Sequence, residues 1–424
     1  MVNNISLNVL KEALDIEDYV ISTRRYLHEN PEIGLQETNT IQHVTNELTK
    51  MSIPFEIIDN GGIIGYIQGK KPGKKLILRA DLDALPMKES EFNLKQKKEV
   101  VSKNDAAAHT CGHDAHTAML LGAAKILTAH KDLINGTIIL AFEQGEEMGG
   151  GIYNLLTRLK EIGADGIWGI HLKSDMPAGK ISVEAGPRMA SAFSFKVMIE
   201  GKSGHGSRPD LSIAPLDCFT DFYQNIKSLR LTGLNPFDPI ALSIGTIEYG
   251  NAANIIPQTL TFSGTCRFLH YSQGKQAEIK FKELLSKICD LHNCQFKYLS
   301  EPKAMDLIVY NNEQCSQIAT ESVSNALGSE VNFKYPAWMA SESFSMYQKY
   351  FPGVFAFLGI ANEELGSGAE HHNEKFDVDE SALKIGVAST VQYAIDFLNV
   401  HEDIKFTPDK RTVKELFIDN GFQI

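Results

Sequence analysis

Apolar positions along the chain follow two periods. From Ile16 to Tyr26 and from Thr38 to Lys50 they recur every three or four residues, the spacing of amphipathic helices. Short apolar runs follow at Phe55–Ile58, Gly65–Gln68 and Lys75–Ala80 and read as strands. A helix is predicted from Ala115 to Ala129, a buried strand from Gly136 to Phe142, a helix from Ile152 to Ile162 and a strand from Gly166 to Ile170. Strands alternating with helices predict an α/β domain, its mostly parallel sheet covered by helices. The texture changes after Gly186-Pro187. Phe193–Glu200 alternates as a half-exposed strand, Ala214–Leu229 and Gln276–His292 are helical, and Ala241–Glu248, Gln258–Phe268 and Gln295–Leu299 are strand-like. From about Asn311 the first pattern resumes, with a strand at Gly353–Leu358. The economical reading is a larger α/β domain of residues 1–187 and 301–424, interrupted by an α+β insert of residues 188–300.

Composition narrows the function classes. The 424 residues carry 41 Lys and Arg against 53 Asp and Glu, a net charge of −12, which disfavours a phosphate-backbone binder. No apolar run approaches the roughly 20 residues of a membrane helix. Met1 to Leu7 lacks the basic start and apolar core of a signal peptide, so a cytoplasmic location is expected. The six cysteines are scattered, which argues against a disulfide scaffold.

Chemistry-bearing residues gather at strand ends, where open α/β sheets place their sites. Arg79-Ala-Asp81-Leu-Asp83 ends one strand; its two carboxylates can ligate metal, orient a ligand or simply face solvent in a loop. His109-Thr-Cys111-Gly-His113-Asp114-Ala-His116 precedes a helix. Thiolate and imidazole are the usual zinc ligands, Gly112 permits a tight turn, and Asp114 can fix an imidazole tautomer. Glu146-Glu147, followed by glycines at 149–151, offers one carboxylate for a metal and one to take a proton from water. His171 ends another strand, and His371-His372 lies near the C-terminus. Within the insert, His205 sits on a glycine-rich loop, with Asn254 and Arg267 downstream; together they can hold an oxyanion and a carboxylate. Arg267 is as well explained by a salt bridge within the insert.

On these motifs the chain resembles the amidohydrolase branch of the binuclear metallo-aminoacylase and carboxypeptidase family. That branch includes hippurate hydrolase, indoleacetyl-amino-acid hydrolases and N-acetyldiaminopimelate deacetylase. The resemblance runs from Leu27-His-Glu-Asn-Pro-Glu-Ile-Gly34 to Phe376-Asp-Val-Asp-Glu380, with Cys111-Gly-His-Asp, Glu146-Glu147 and His205 in family order. It implies two divalent metals in the α/β domain and a ferredoxin-like insert that mediates homodimerisation. By motif, Cys111, His113, Glu147, His171 and His372 fall on ligand positions, and Glu146 on the general base. His372 is preferred to His371 because the family's ligand lies four residues before the Phe of the Phe-Asp-x-Asp-Glu tail. Asp81 and Asp83 are supporting residues. Two departures bear on substrate preference: Ser341-Glu342-Ser343-Phe344 replaces the usual Glu-Asp-Phe, and Glu374 stands where proline is common.

The implied activity is hydrolysis of an N-acyl amino acid by metal-activated water. Glu146 moves the proton, His205 stabilises the oxyanion, and Asn254 and Arg267 contact substrate. A dipeptidase or carboxypeptidase, or an N-acetyldiaminopimelate deacetylase, would use the same site. A silent metal-binding scaffold would not need Glu146 beside its ligands, and a nucleic-acid-associated zinc protein would need the CxxC pairs that are missing. A cysteine ligand favours zinc, with manganese, cobalt or nickel as alternatives.

Overall fold

In the computed structural model, which describes residues 7–149, 151–229 and 233–422, a seven-stranded mixed sheet carries the chemistry. The N-terminal Met1–Ser6 and the middle glycine of 149–151 lie outside the described residues. The strand order is Phe55–Ile58, Gly62–Gln68, Asn135–Glu143, Lys71–Asp81, Gly166–Pro177, Gly353–Ala361 and Ile181–Ser182. The four strands from Asn135–Glu143 to Gly353–Ala361 run parallel, and antiparallel strands flank them. Central strands such as Gly353–Ala361 are buried almost end to end, which is why they read as continuous apolar runs rather than alternations.

The helices that cover the sheet supply the rest of its core. His113–Ala129 and Leu383–Asn399 are apolar nearly all round because each lies against the sheet and against neighbouring helices. Glu313–Leu327 packs there through Cys315, Ala319 and Val323. This unit comprises the chain up to Gly186, Tyr310–Pro336 and Ser343–Val413.

The second unit takes Pro187–Val309, Ala337–Glu342 and the segment from Lys414. Besides residues 188–300 it therefore takes in later pieces of chain, tied on by local hydrogen bonds such as Trp338 N–H to Arg188 O at 2.8 Å. Its antiparallel sheet has the order Ile240–Tyr249, Thr259–Phe268, Ser191–Glu200, Gln295–Ser300. With helices Pro215–Lys227 and Tyr271–Leu291 this is a β-α-β-β-α-β ferredoxin-like arrangement. Phe193, Phe195, Phe222, Phe262 and Phe281 fill the space between sheet and helices. They come from alternate strand positions and one face of each helix.

Candidate metal centre

Three strands of the large sheet and one helix bring the ligand-type residues of the first unit together. Asp81 and Glu143 are register partners at the ends of adjacent parallel strands, and His171 lies on the next strand over. Gly112 caps helix His113–Ala129 with φ +103°, and a Cβ there would lie 2.8 Å from Leu172. Glycine is therefore required for Cys111 and His113 to meet His171. His372 adopts φ +60°, and its N–H donates to Thr110 O at 3.0 Å. That bond ties the C-terminal turn to the Cys111 loop.

The donor atoms fall into overlapping groups whose members all lie within 4.8 Å of one another: Cys111, His113 and His171; Cys111, Glu147 and His372; and His113, Glu146 and Glu147. Hydrogen bonding orients them. His171 Nδ1 donates to Leu172 O at 2.6 Å, leaving Nε2 as a lone pair 3.6 Å from Cys111 Sγ. His113 Nδ1 donates to Asp83 Oδ1 at 3.1 Å, while Asp83 Oδ2 accepts from the Glu147 N–H at 2.9 Å. Asp83 thus fixes two members of the cluster at once. His372 Nε2 is 3.1 Å from Glu147 Oε1.

A divalent metal fits this donor set. His113 Nε2 is buried without a hydrogen-bond partner and lies 3.9 Å from Glu147 Oε1, the buried oxygen that His372 Nε2 also faces. Buried polar atoms in native folds are almost always satisfied, so an unpartnered imidazole nitrogen aimed at a buried carboxylate and a second imidazole marks the place of a ligand. Thiolate, imidazole and carboxylate are zinc's ordinary donors. Burial first, then the nearby Glu147 and Glu146 carboxylates, push the Cys111 thiol well up, and a cation beside the sulfur favours the thiolate.

Asp81, expected only as a supporting residue, is fully buried and central. It meets Arg79 Nη1 and His116 Nδ1, each at 2.7 Å, and stands 3.8 Å from His113 Nε2. Burial opposes its ionisation, but His113, His116 and Arg79 outweigh that and hold it well below the usual carboxylate range. His116 is close enough to belong to a ligand group, yet its Nε2 accepts the Leu172 N–H at 2.9 Å. With both nitrogens committed, His116 couples the helix to the His171 strand and orients Asp81.

Asp114 does not orient a donor of the cluster. One residue further along the helix than His113, it points about 100° away. It binds Arg24 and His28, each at 2.8 Å, in a buried network that continues to Glu89 and Lys98. His371 is buried, and its Nε2 accepts the Ser174 N–H at 3.2 Å, so His372 is the one whose ring nitrogen joins Cys111 and Glu147. Sequence reading missed Glu37. Fully buried, it accepts from Gln144 Nε2 at 2.8 Å and from the Gly145 N–H at 2.7 Å. Burial pushes it up to about 7. A glutamate after a glycine turn, in a segment otherwise read as a helix start, was the only signal.

In the second unit His205 is exposed on the short strand Gly204–His205, paired with Ile255–Ile256. Its Nδ1 accepts the Ser207 N–H at 3.1 Å and lies 2.8 Å from Ser207 Oγ, which leaves Nε2–H as a donor. Asn254 is exposed, and its carbonyl accepts the Gly206 N–H at 2.8 Å. Arg267 Nη1 donates to Met339 O at 3.2 Å and Ser341 Oγ at 3.3 Å; it makes no ion pair among the described residues, so the salt-bridge alternative is not realised there.

Comparison with known proteins agrees with this chemistry. Residues 77–396 match the sequence model of peptidase family M20/M25/M40. Thermostable carboxypeptidase 2 of Saccharolobus solfataricus is 35% identical over 398 residues, covering 92% of this chain and 98% of that protein. The IAA-amino acid hydrolase ILR1-like 4 of Arabidopsis thaliana is 31% identical, covering 92% and 88%. Among solved structures, the Bacillus subtilis YXEP protein, a dinuclear metal-binding peptidase from the M20 family, superimposes with a TM-score of 0.74 at 26% identity, covering 91% of this chain and 99% of that one.

Proposed function

This chain belongs to peptidase family M20/M25/M40 and is a metal-dependent hydrolase of amide or peptide bonds; on that premise we propose that its substrates are N-acyl amino acids. The observation that carries the reading is the convergence of His113 Nε2, buried without a hydrogen-bond partner, on Glu147 Oε1 at 3.9 Å, beside Cys111, His372 and Glu146. In this reading Cys111, His113, Glu147, His171 and His372 hold two divalent ions, zinc being favoured by the thiolate donor. When bound, such ions acidify water and polarise an amide carbonyl.

The protein's own part is positioning and proton transfer. Glu146, next to the ligand Glu147 but not needed as one, takes the proton from the attacking water and delivers it to the departing nitrogen. Asp83 and His116 hold the ligand side chains in register. His205, a donor through Nε2–H, stabilises the oxyanion, and Arg267 and Asn254 receive the substrate's carboxylate end. We further propose a cytoplasmic homodimer, the ferredoxin-like unit supplying the interface and His205 serving the partner's site.

A carboxypeptidase or dipeptidase reading is favoured by the 35% identical relative that bears the carboxypeptidase name. A panel of N-acetyl, N-benzoyl and N-indoleacetyl amino acids, run beside dipeptides with zinc, manganese, cobalt or nickel, separates the two. Faster turnover of dipeptides than of every N-acyl amino acid would overturn the first. Mixing inactive His205→Ala and Glu146→Gln proteins tests the shared site. Regained activity after subunit exchange supports it, and exchange confirmed by mass without activity rejects it.

A further inference from the structure

The hydroxyl of Ser343 has two charged neighbours. It donates to Glu143 Oε1 at 2.7 Å and accepts from Arg79 Nη2 at 2.9 Å. Glu143 is the fully buried last residue of strand Asn135–Glu143. Its Oε2 takes Arg79 Nε at 2.7 Å and the Tyr347 phenol at 2.9 Å, while Arg79 Nη1 reaches on to Asp81. A hydroxyl has one proton to give, and here a carboxylate takes it while a guanidinium uses a lone pair, so its orientation is fully determined. The backbone N–H of the same residue donates to Glu146 Oε1 at 2.9 Å. Ser343 therefore grips this strand end twice, by hydroxyl at Glu143 and by N–H at Glu146.

We propose that Ser343 is a positioning residue for Glu146: its hydroxyl, clamped between Glu143 and Arg79, fixes the backbone N–H that aims the Glu146 carboxylate. This rests on the reading of Glu146 as the base. A carboxylate restrained at one oxygen presents the other in a defined direction, and displacement of a reacting group by about 1 Å can cost about 10²-fold in rate. Removing the hydroxyl takes one buried hydrogen bond from Glu143 Oε1 and one from Arg79 Nη2, which keeps Glu143 Oε2 at 2.6 Å, and releases the segment carrying the N–H from its clamp.

The test compares the parent, Ser343→Ala, Ser343→Thr, Glu146→Gln and the double variant Ser343→Ala/Glu146→Gln, all loaded with metal. The readouts are kcat and KM on the N-acyl amino acid the parent hydrolyses best, with bound metal and melting temperature measured on each. Ser343→Ala is expected to lose about 10- to 100-fold in kcat, with KM within about 3-fold and metal content unchanged. Ser343→Thr, which keeps the hydroxyl, should recover most of the rate. The double variant should be no slower than Glu146→Gln, because a group that acts through Glu146 has nothing left to position. Parental kcat in Ser343→Ala overturns the proposal. So does a double variant slowed below Glu146→Gln by the full factor that Ser343→Ala costs the parent, since independent losses multiply. Ser343→Cys, which keeps a side chain of similar shape but weakens both hydrogen bonds, carries the same expectations if Ser343→Ala does not fold. Parental turnover in Glu146→Gln would instead remove the base assignment itself.

Discussion

Replacing Asp83 by Asn changes one atom and sets two requirements of the metal centre against each other. Each carboxylate oxygen of Asp83 serves a different donor: Oδ1 takes His113 Nδ1–H at 3.1 Å and Oδ2 takes the Glu147 N–H at 2.9 Å. Asparagine offers one acceptor and one NH2 group. If the NH2 faces Glu147, two donors collide and the segment carrying Glu147 is pushed off. If it faces His113, the imidazole must turn its lone pair toward the introduced amide and carry its proton on Nε2, the atom that points at Glu147 and would bind metal. Either outcome disables one donor. Loss of such a partner typically weakens metal binding by about 10- to 100-fold, equivalent to about 1.4–2.7 kcal/mol. Competition between the protein and a chelator of known affinity, read by elemental analysis after gel filtration, measures this directly. Asp83→Ala should fare no better, because it lacks both bonds. Parental metal affinity in Asp83→Asn would refute the claim that Asp83 sets the orientation of these donors.

Other outcomes follow from the same geometry. Glu146→Gln should keep its metal and lose about 10²–10⁴-fold in turnover, whereas Glu147→Gln should lose metal; metal titration showing the reverse would exchange their roles. Gly112→Ala places a Cβ 2.8 Å from Leu172 at φ +103° and should cost about 1–3 kcal/mol in urea unfolding, with no cost counting against the fit described. Glu37, pushed up to about 7, takes up a proton more readily when folded than when unfolded. Its contribution therefore falls as pH rises from the ordinary carboxylate range to about 7 and stays lost above. In metal-free protein, Glu37→Gln lacks that loss, so its stability relative to the parent should improve by up to about 3 kcal/mol between pH 4 and pH 8. A difference independent of pH would show that Glu37 does not titrate there.

Sequence alone determined what is local. Buried parallel strands announce themselves as apolar runs because both faces are covered, and Lys75–Ala80, Gly136–Phe142 and Gly353–Leu358 all lie within strands of the large sheet. Cys111, His113, Glu146, Glu147 and His171 stood out because thiolate, imidazole and carboxylate at strand ends are unusual residues in a usual place for chemistry. What depended on distant parts of the chain was hidden. Helices Glu313–Leu327 and Leu383–Asn399 went unplaced in the C-terminal third, their buried faces being set by neighbours far along the chain. The family motif favours His372 over His371, but the cause of its orientation, a left-handed backbone held by Thr110 some 260 residues away, lies in the fold. Asp83 and Asp114 are equally plausible partners for an imidazole on paper, but the turn of a helix sends Asp114 to His28 and leaves His113 to Asp83. Glu37 and Glu143 carry no motif of their own, and the segments containing Arg79 and Ser343 give those two side chains no role. Their importance comes from burial, which removes water as a partner and makes each hydrogen bond among them necessary, and only the folded chain decides which groups lose their water.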